Sequence, residues 1–233
     1  MFRLDTRTTM LAAAFTLLAA VPAAAQVGHP PDESPYRDLE FRQEFTPTVG
    51  VLGARSDRAG VLPRGGTLVG VRYEVYIAGP ISFNANVSTA FSERDVIDPK
   101  QVAGKRLVGT EDLSVYAADV GVALGLTGRK SWHRIVPEVR AGVGVITTAQ
   151  QADASGYQFG TPFAFTFGGG LKLVGLGRLQ LRADVGQRLF KQKYPDSFYV
   201  KASDNTAVLE NSARSFWTNH SLATLGVSFL FDR

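Results

Sequence analysis

The chain has 233 residues and no cysteine, so no disulfide can hold an exported form together and its stability rests on burial and strand pairing. A formal net charge of +4, with 20% charged residues, is too slight an excess to argue for nucleic acid as a partner. Balanced hydropathy excludes neither a soluble protein nor a membrane barrel, because barrel strands alternate an apolar and a polar side.

Arg3 and Arg7 precede an apolar run from Met10 to Val21, and Ala23, Ala24 and Ala25 offer the small residues that a signal peptidase needs. Residues 1–25 are therefore expected to be a secretory signal peptide, the run being short of the roughly 20 residues of a membrane helix. Cleavage after Ala25 leaves 208 residues and removes Arg3, Asp5 and Arg7, for 23 basic against 20 acidic side chains. Pro30, Pro31 and Pro35 then mark residues 26–38 as an irregular periplasmic tail.

From Leu39 onward the pattern has period two, the mark of strands with one apolar face. The first segment, Phe41 to Leu52, alternates loosely. The second sets Val69, Val71, Tyr73, Val75 and Ile77 against Gly70, Arg72, Glu74 and Tyr76. The third sets Ile81, Phe83, Ala85, Val87 and Phe91 against Ser82, Asn84, Asn86, Ser88 and Ser92. In the fourth, Tyr116, Val120, Val122, Leu124 and Leu126 oppose Asp119, Gly121 and Gly125. In the fifth, Val139, Ala141, Val143 and Val145 oppose Glu138, Arg140, Gly142 and Gly144. The sixth sets Phe163, Phe165, Phe167, Leu171 and Leu173 against Thr166, Gly168, Gly170 and Lys172. The seventh, the clearest, sets Leu179, Leu181, Ala183, Val185 and Leu189 against Arg178, Gln180, Arg182, Asp184, Gly186 and Arg188. The eighth, Trp217 to Phe231, aligns Ala223, Leu225, Val227, Phe229 and Phe231.

Connections alternate in length. Ala78 to Pro80, Thr127 to Arg134 and Gly175 to Gly177 are short, whereas Ala54 to Gly65, Glu93 to Asp112, Ala149 to Gly160 and Gln192 to Phe216 are long and mostly polar. This order suits a barrel with both ends in the periplasm, its short turns there and its long loops outside. The fold class expected is all-β, an eight-stranded antiparallel up-and-down transmembrane barrel over residues 39–233.

The apolar faces carry no Lys, Arg, Asp or Glu, while the opposite faces hold Arg42, Arg72, Arg140, Lys172, Arg178, Arg182 and Arg188 with Glu44, Glu74, Asp119, Glu138 and Asp184. A Lys or Arg facing the bilayer midplane costs roughly 2–4 kcal/mol, so lipid would select this separation. The competitor is a soluble lipocalin-like barrel with the faces inverted. Glycines on the charged face, Gly70, Gly121, Gly142, Gly144, Gly170 and Gly186, favour that face inward, where eight strands leave little room. Phe91, Tyr116, Phe163 and Trp217 at one set of ends and Phe41, Phe83, Phe229 and Phe231 at the other fit two aromatic girdles. The inward charges are read as a neutralising network that plugs the lumen, in preference to a catalytic cluster or an open pore.

His220-Ser221 suggests a hydrolase, with Asp184 or Asp119 to orient the imidazole, but neighbours on a strand face opposite sides. His29 and His133 have no zinc-ligand spacing, and Gly125 to Ser131, GLTGRKS, misses a phosphate loop because Arg129 separates Gly from Lys. No cofactor or metal is expected. The longest loop joins Lys191, Lys193 and Lys201 to Tyr194, Phe198 and Tyr199, which suits either a surface contact, lipopolysaccharide phosphate among the candidates, or a merely solvated loop.

With its signal peptide, eight two-faced strands, alternating loops and closing Gly226-Val227-Ser228-Phe229-Leu230-Phe231, the chain resembles the small outer-membrane barrels of the OmpA membrane-domain and OmpX kind from about Leu39 to Arg233. The resemblance implies outer-membrane localisation and a monomer in contact with membrane lipid and lipopolysaccharide. It also implies insertion by the barrel-assembly machinery, which in that family reads a terminal aromatic; here Asp232 and Arg233 follow Phe231. A structural or surface-interaction role is expected, against a small pore, a lipid-modifying hydrolase or a soluble binder.

Overall fold

Strict alternation leaves each strand with one face that sheds water and one that carries charge, and closing the sheet on itself puts each face in a single environment without leaving an edge. The computed structural model describes residues 34–55, 57–175, 177–210 and 214–232; the expected signal peptide and residues 26–33 of the expected tail lie outside them. The strands are β1 (Tyr36–Asp38), β2 (Gln43–Ala54), β3 (Gly66–Ala78), β4 (Ile81–Ile97), β5 (Leu107–Gly125), β6 (Lys130–Trp132), β7 (Ile135–Thr148), β8 (Phe163–Val174), β9 (Leu179–Lys193) and β10 (Ser215–Phe231). Two short 3₁₀ turns, Ala103–Lys105 and Asp196–Tyr199, sit in long loops.

Eight of these strands close a ring in the order β2-β3-β4-β5-β7-β8-β9-β10, every neighbour antiparallel, with β10 returning to β2 through pairs such as Leu222↔Leu52 and Phe229↔Phe45. All eight correspond to the two-faced segments of the sequence, and the long and short connections fall at opposite ends. The apolar rows face out: Val185 is 64% exposed and Leu225 63%. The charged rows face in, with Glu74 and Arg182 at 1% and 2% exposure. The inverted, lipocalin-like arrangement is therefore not the one adopted.

Two features depart from the expectation. The loop expected over Glu93 to Asp112 is largely strand, since β4 and β5 run on as a hairpin through pairs such as Arg94↔Glu111 and Asp95↔Thr110. Its alternation is written in charged residues, so the apolar period is missing there. Within the expected tail, Tyr36–Asp38 is not irregular but pairs with Lys130–Trp132 of the β5–β7 connection. The chain then crosses the short-turn mouth to β2, held by the Leu39 amide on the Arg129 carbonyl (2.9 Å) and by the Arg129 guanidinium on the Leu39 carbonyl (3.0 Å). Arg129 also lies 5.6 Å from the Tyr76 ring centroid, so the would-be phosphate loop anchors this strap.

Candidate functional site

The lumen is built in two storeys. Near the short turns, inward positions on the ring supply acids and bases at the same height. Glu44 and Glu74 are cross-strand neighbours on β2 and β3, and Lys172 and Arg182 are cross-strand neighbours on β8 and β9. Like charges side by side repel, so each pair is stable only if it reaches the other across the barrel. Lys172 Nζ donates to Glu44 Oε2 (3.1 Å) and Glu74 Oε1 (2.7 Å) and lies 3.1 Å from Glu138 Oε2. Arg182 donates from Nη1 to Glu44 Oε1 (2.7 Å) and Glu74 Oε2 (2.9 Å), from Nη2 to Glu138, and from Nε to Asp184 Oδ2 (2.9 Å).

A second ring of contacts continues upward. Asp184 accepts from Arg140 Nη1 (2.5 Å) and Arg72 Nη1 (3.2 Å), and Arg72 Nε donates to Asn86 Oδ1 (2.5 Å). Asn86 Nδ2 donates to Asp119 Oδ1 (2.9 Å), whose other oxygen takes Arg188 Nη2 (3.2 Å). Ser82 and Gln180 donate to Glu74 (2.7 Å) and Glu44 (2.6 Å). Five carboxylates, Glu44, Glu74, Asp119, Glu138 and Asp184, thus meet five cations, Arg72, Arg140, Lys172, Arg182 and Arg188. Gly170 makes room for this, because a Cβ there would lie 2.1 Å from Asp184 Oδ1.

Of the twelve inward charges read from the sequence, ten are joined. Arg42 and Arg178 take no part in these ion pairs: the Arg42 backbone pairs with Asp232 and Tyr76, and the Arg178 guanidinium lies 6.0 Å from the Phe41 ring centroid at the mouth.

The upper storey, toward the long loops, is apolar, and sequence reasoning missed it. Leu52, Leu68, Ala90, Val115, Ile146, Ala164 and Phe190 point inward and are buried, and loop residues Val61, Leu62, Tyr157, Phe159, Phe198 and Leu209 close over them. The available signal was apolar residues at inward parity, such as Phe190 beside Leu189. Tyr194 and Phe198, expected on the surface of the longest loop, belong instead to this buried layer, where Tyr194 stacks on Phe216 at 4.6 Å. Their burial leaves half-buried Tyr199, under the Arg214 guanidinium, as the one aromatic of the expected surface contact still reachable.

The loops lock to one another above that layer. Tyr194 Oη donates to Asp57 Oδ2 (2.8 Å), Arg106 donates to the Ala207 and Thr206 carbonyls (2.8 and 2.9 Å), and Ser197 Oγ donates to the Ser155 carbonyl (3.2 Å). Arg94, with no exposed side-chain surface, pairs with Glu111 at 2.9 Å and with Asp153. Burial raises the Asp153 carboxyl, but hydrogen bonds from Ser155 and Arg94 outweigh it and hold the group below the ordinary carboxylate range.

His220 is buried in the lumen with its ring edge-on to Phe190 at 4.9 Å, whereas the Ser221 hydroxyl lies on the outer surface, 3.2 Å from Gln187 Nε2. The strand's parity separates them, so they share no site. His29 lies outside the described residues. Between the storeys a cavity of about 60 Å³, lined by Arg72, Asn84, Asn86, Asp119, Arg140 and Arg188 among others, has room for a few water molecules. A larger recess of about 350 Å³ opens at the short-turn mouth beside Phe41, Glu44 and Tyr76.

A closed ring of eight antiparallel strands with an apolar exterior is the fold of small outer-membrane β-barrels. Solved structures share it. Neisserial surface protein A is 12% identical, covering 85% of this chain and 98% of that one, with a TM-score of 0.50. The outer-membrane protein OprG from Pseudomonas aeruginosa is 7% identical, covering 86% of this chain and 100% of that one, with a TM-score of 0.51. No protein-family model and no curated protein sequence matches the chain.

Proposed function

We propose that this protein is a non-enzymatic, integral outer-membrane barrel that works as a rigid, closed body in the bilayer, with a structural or surface-interaction role carried by its outer surface. The observation that carries this reading is the cross-lumen junction of Lys172 and Arg182 with Glu44, Glu74 and Glu138 beneath a dry apolar layer. An ion crossing the barrel has to break the charged junction and then pass hydrocarbon side chains, and both steps are costly. The hydrolase alternative lacks its central contact, since His220 and Ser221 are on opposite faces of β10. In this reading the signal peptide exports the chain, the barrel-assembly machinery inserts it as a monomer, and membrane lipid and lipopolysaccharide are its neighbours.

The test is conductance of the purified, folded barrel in planar bilayers. The closed-body reading expects no sustained single-channel steps for the native protein, and steps to appear only when both barriers are opened, in a Lys172→Ala/Arg182→Ala/Phe190→Ala/Phe198→Ala variant that still shows heat-modifiable gel mobility. Regular steps from the native protein overturn it in favour of a pore. Altered membrane lipid acylation in a deletion strain, restored by the native protein but not by Ser221→Ala, overturns it in favour of an enzyme.

A further inference from the structure

The outward face carries a polar patch high in its apolar belt. On β9 and β10, Gln187, Asn219 and Ser221 occupy outward positions, with Asn219 Nδ2 donating to Gln187 Oε1 (2.6 Å) and Gln187 Nε2 donating to Ser221 Oγ (3.2 Å). Below them on the same rows are Val185, Ala223 and Leu225; above them are Lys191 and its cross-strand neighbour Trp217. At about 3.3 Å per residue and a tilt near 40°, Gln187 stands ~20 Å above Leu179, inside the upper part of a belt about 25 Å tall.

In a bilayer, amides at that depth lose water, and among the described residues the second N–H of each amide and the Asn219 oxygen meet no partner. A group able to meet them there is the ester or amide carbonyl at the head of a lipid acyl chain. Two further features of the same face point to an amphiphile. Beside Ser221 stands Gly53, where a Cβ would find only ordinary contact with Ser221 at 3.4 Å, so the outer surface forms a shallow trough over Gly53 and Ala223 between Val51 and Val185. Above the patch are three exposed cations, Lys191 and Lys193 on β9 and Arg55, one residue beyond the Ala54↔His220 pair on β2. None of the three forms an ion pair among the described residues, and the nearby Asp196 is taken by Arg214.

β9 and β2 lie on either side of β10, so these cations are about two strand spacings apart, roughly 10 Å. A single phosphate would have to draw all three long side chains to one point, whereas a headgroup bearing two well-separated phosphates meets the Lys191–Lys193 side and the Arg55 side where they stand. A second copy of the chain would bring three unpaired cations against three more.

From this we propose that the β9–β10–β2 face holds one diphosphorylated glycolipid of the lipid A type. Lys191 and Lys193 on one side and Arg55 on the other take the two phosphates, Gln187 and Asn219 meet an acyl carbonyl, and a chain lies over Gly53 and Ala223. This rests on the barrel spanning a bilayer, and the controls separate the two claims.

The experiment uses the full mature chain folded into phosphatidylcholine nanodiscs and titrated with diphosphoryl lipid A, monophosphoryl lipid A or cardiolipin, read by native mass spectrometry. Heat-modifiable mobility and insertion are scored first, because a chain that does not insert fails the barrel reading itself. The site predicts one diphosphoryl lipid A per barrel, with monophosphoryl lipid A, which lacks one phosphate, and cardiolipin, whose two phosphates are held closer together by one glycerol, each retained about ten-fold less. Gln187→Leu/Asn219→Leu, Lys191→Gln/Lys193→Gln and, by filling the trough, Gly53→Phe should each weaken retention about ten-fold while insertion is unchanged. Equal retention by native and variant barrels, or equal retention of all three lipids, overturns the site. A lipid-free dimer lost in Gln187→Leu/Asn219→Leu overturns it in favour of self-association.

Discussion

Lys172 on β8 and Arg182 on β9 are cross-strand neighbours of like charge, and both reach the same three carboxylates, Glu44, Glu74 and Glu138. Their repulsion is overcome because β2 and β3 present Glu44 and Glu74 across the narrow ring, while β7, next to β8, presents Glu138 from the side. The junction ties five strands together by interactions that no single hairpin contains.

Removing one cation should therefore cost more than losing a contact. In Arg182→Met, Glu44 and Glu74 keep Lys172 as their one cation and Glu138 keeps Lys172 with the more distant Arg72 and Arg140, so buried carboxylates are left undercompensated. A broken buried pair typically costs 3–5 kcal/mol, so the urea midpoint of the folded barrel should fall by an amount of about that size. Arg182→Lys should recover little, since an ammonium cannot span four carboxylates in the forked geometry that Arg182 adopts. Equilibrium unfolding in lipid vesicles checks both.

Gly170 offers a test of how tightly the lumen is filled. A Cβ at Gly170 would lie 2.1 Å from Asp184 Oδ1 and 2.9 Å from the Ala183 carbonyl, so Gly170→Ala must displace a carboxylate that serves Arg72, Arg140 and Arg182. Overpacking of this kind costs about 1–3 kcal/mol, visible as a lower urea midpoint. Gly109→Ala is the control: nothing lies within 4 Å of its Cβ position, so stability should be unchanged or slightly higher.

Much of the ring is legible in the sequence because lipid and lumen impose opposite demands on alternate residues, as along Leu179 to Arg188. The upper storey is not, for a physical reason. Where loops fold down over the barrel, inward positions such as Val115, Ile146 and Phe190 also become apolar, so the period-two contrast fades at the place where the core is most apolar. Arg94 was hidden by the reverse effect. It lies on the upper end of β4, beyond the apolar belt that the same strand crosses lower down, so its neighbours do not alternate in hydropathy. The strap at Tyr36–Asp38 is set by backbone pairing with Lys130–Trp132, which needs no side-chain pattern, and Pro35 just before it suggests irregular chain.

The loop cap should be sensitive to acid, with a definite sign. Asp153 has its folded value depressed, so its contribution is complete above the ordinary carboxylate value near 3.9 and is lost as pH falls below that toward the folded one. Amide hydrogen exchange in residues 149–160 should thus be flat, once corrected for intrinsic rate, from pH 8 to about 5 and quicken below about 4. Asp153→Asn should exchange faster already at pH 7 and show a flatter acid limb. A native profile as flat at pH 3 as at pH 7 would show that the Arg94 contact does not hold the cap.

The orientation of the barrel faces can be tested with a single charge. Val185 and Leu225 are among the most exposed apolar residues, on outward rows of β9 and β10. In a water-soluble barrel, replacing an exposed Val with Arg is neutral within about 0.5 kcal/mol and aids solubility. Against hydrocarbon the same change costs roughly 2–4 kcal/mol near the midplane and far less at the interface. Val185→Arg and Leu225→Arg should each lower the stability of the folded barrel in vesicles by that larger amount, whereas Lys191→Arg, beside Trp217 on the same outer surface, should leave it unchanged. Moving the arginine stepwise along β9 through positions 181, 183 and 185 to 189 should trace a penalty that peaks in the middle of the belt and declines toward both aromatic girdles. A penalty independent of position would place water, not lipid, around these rows.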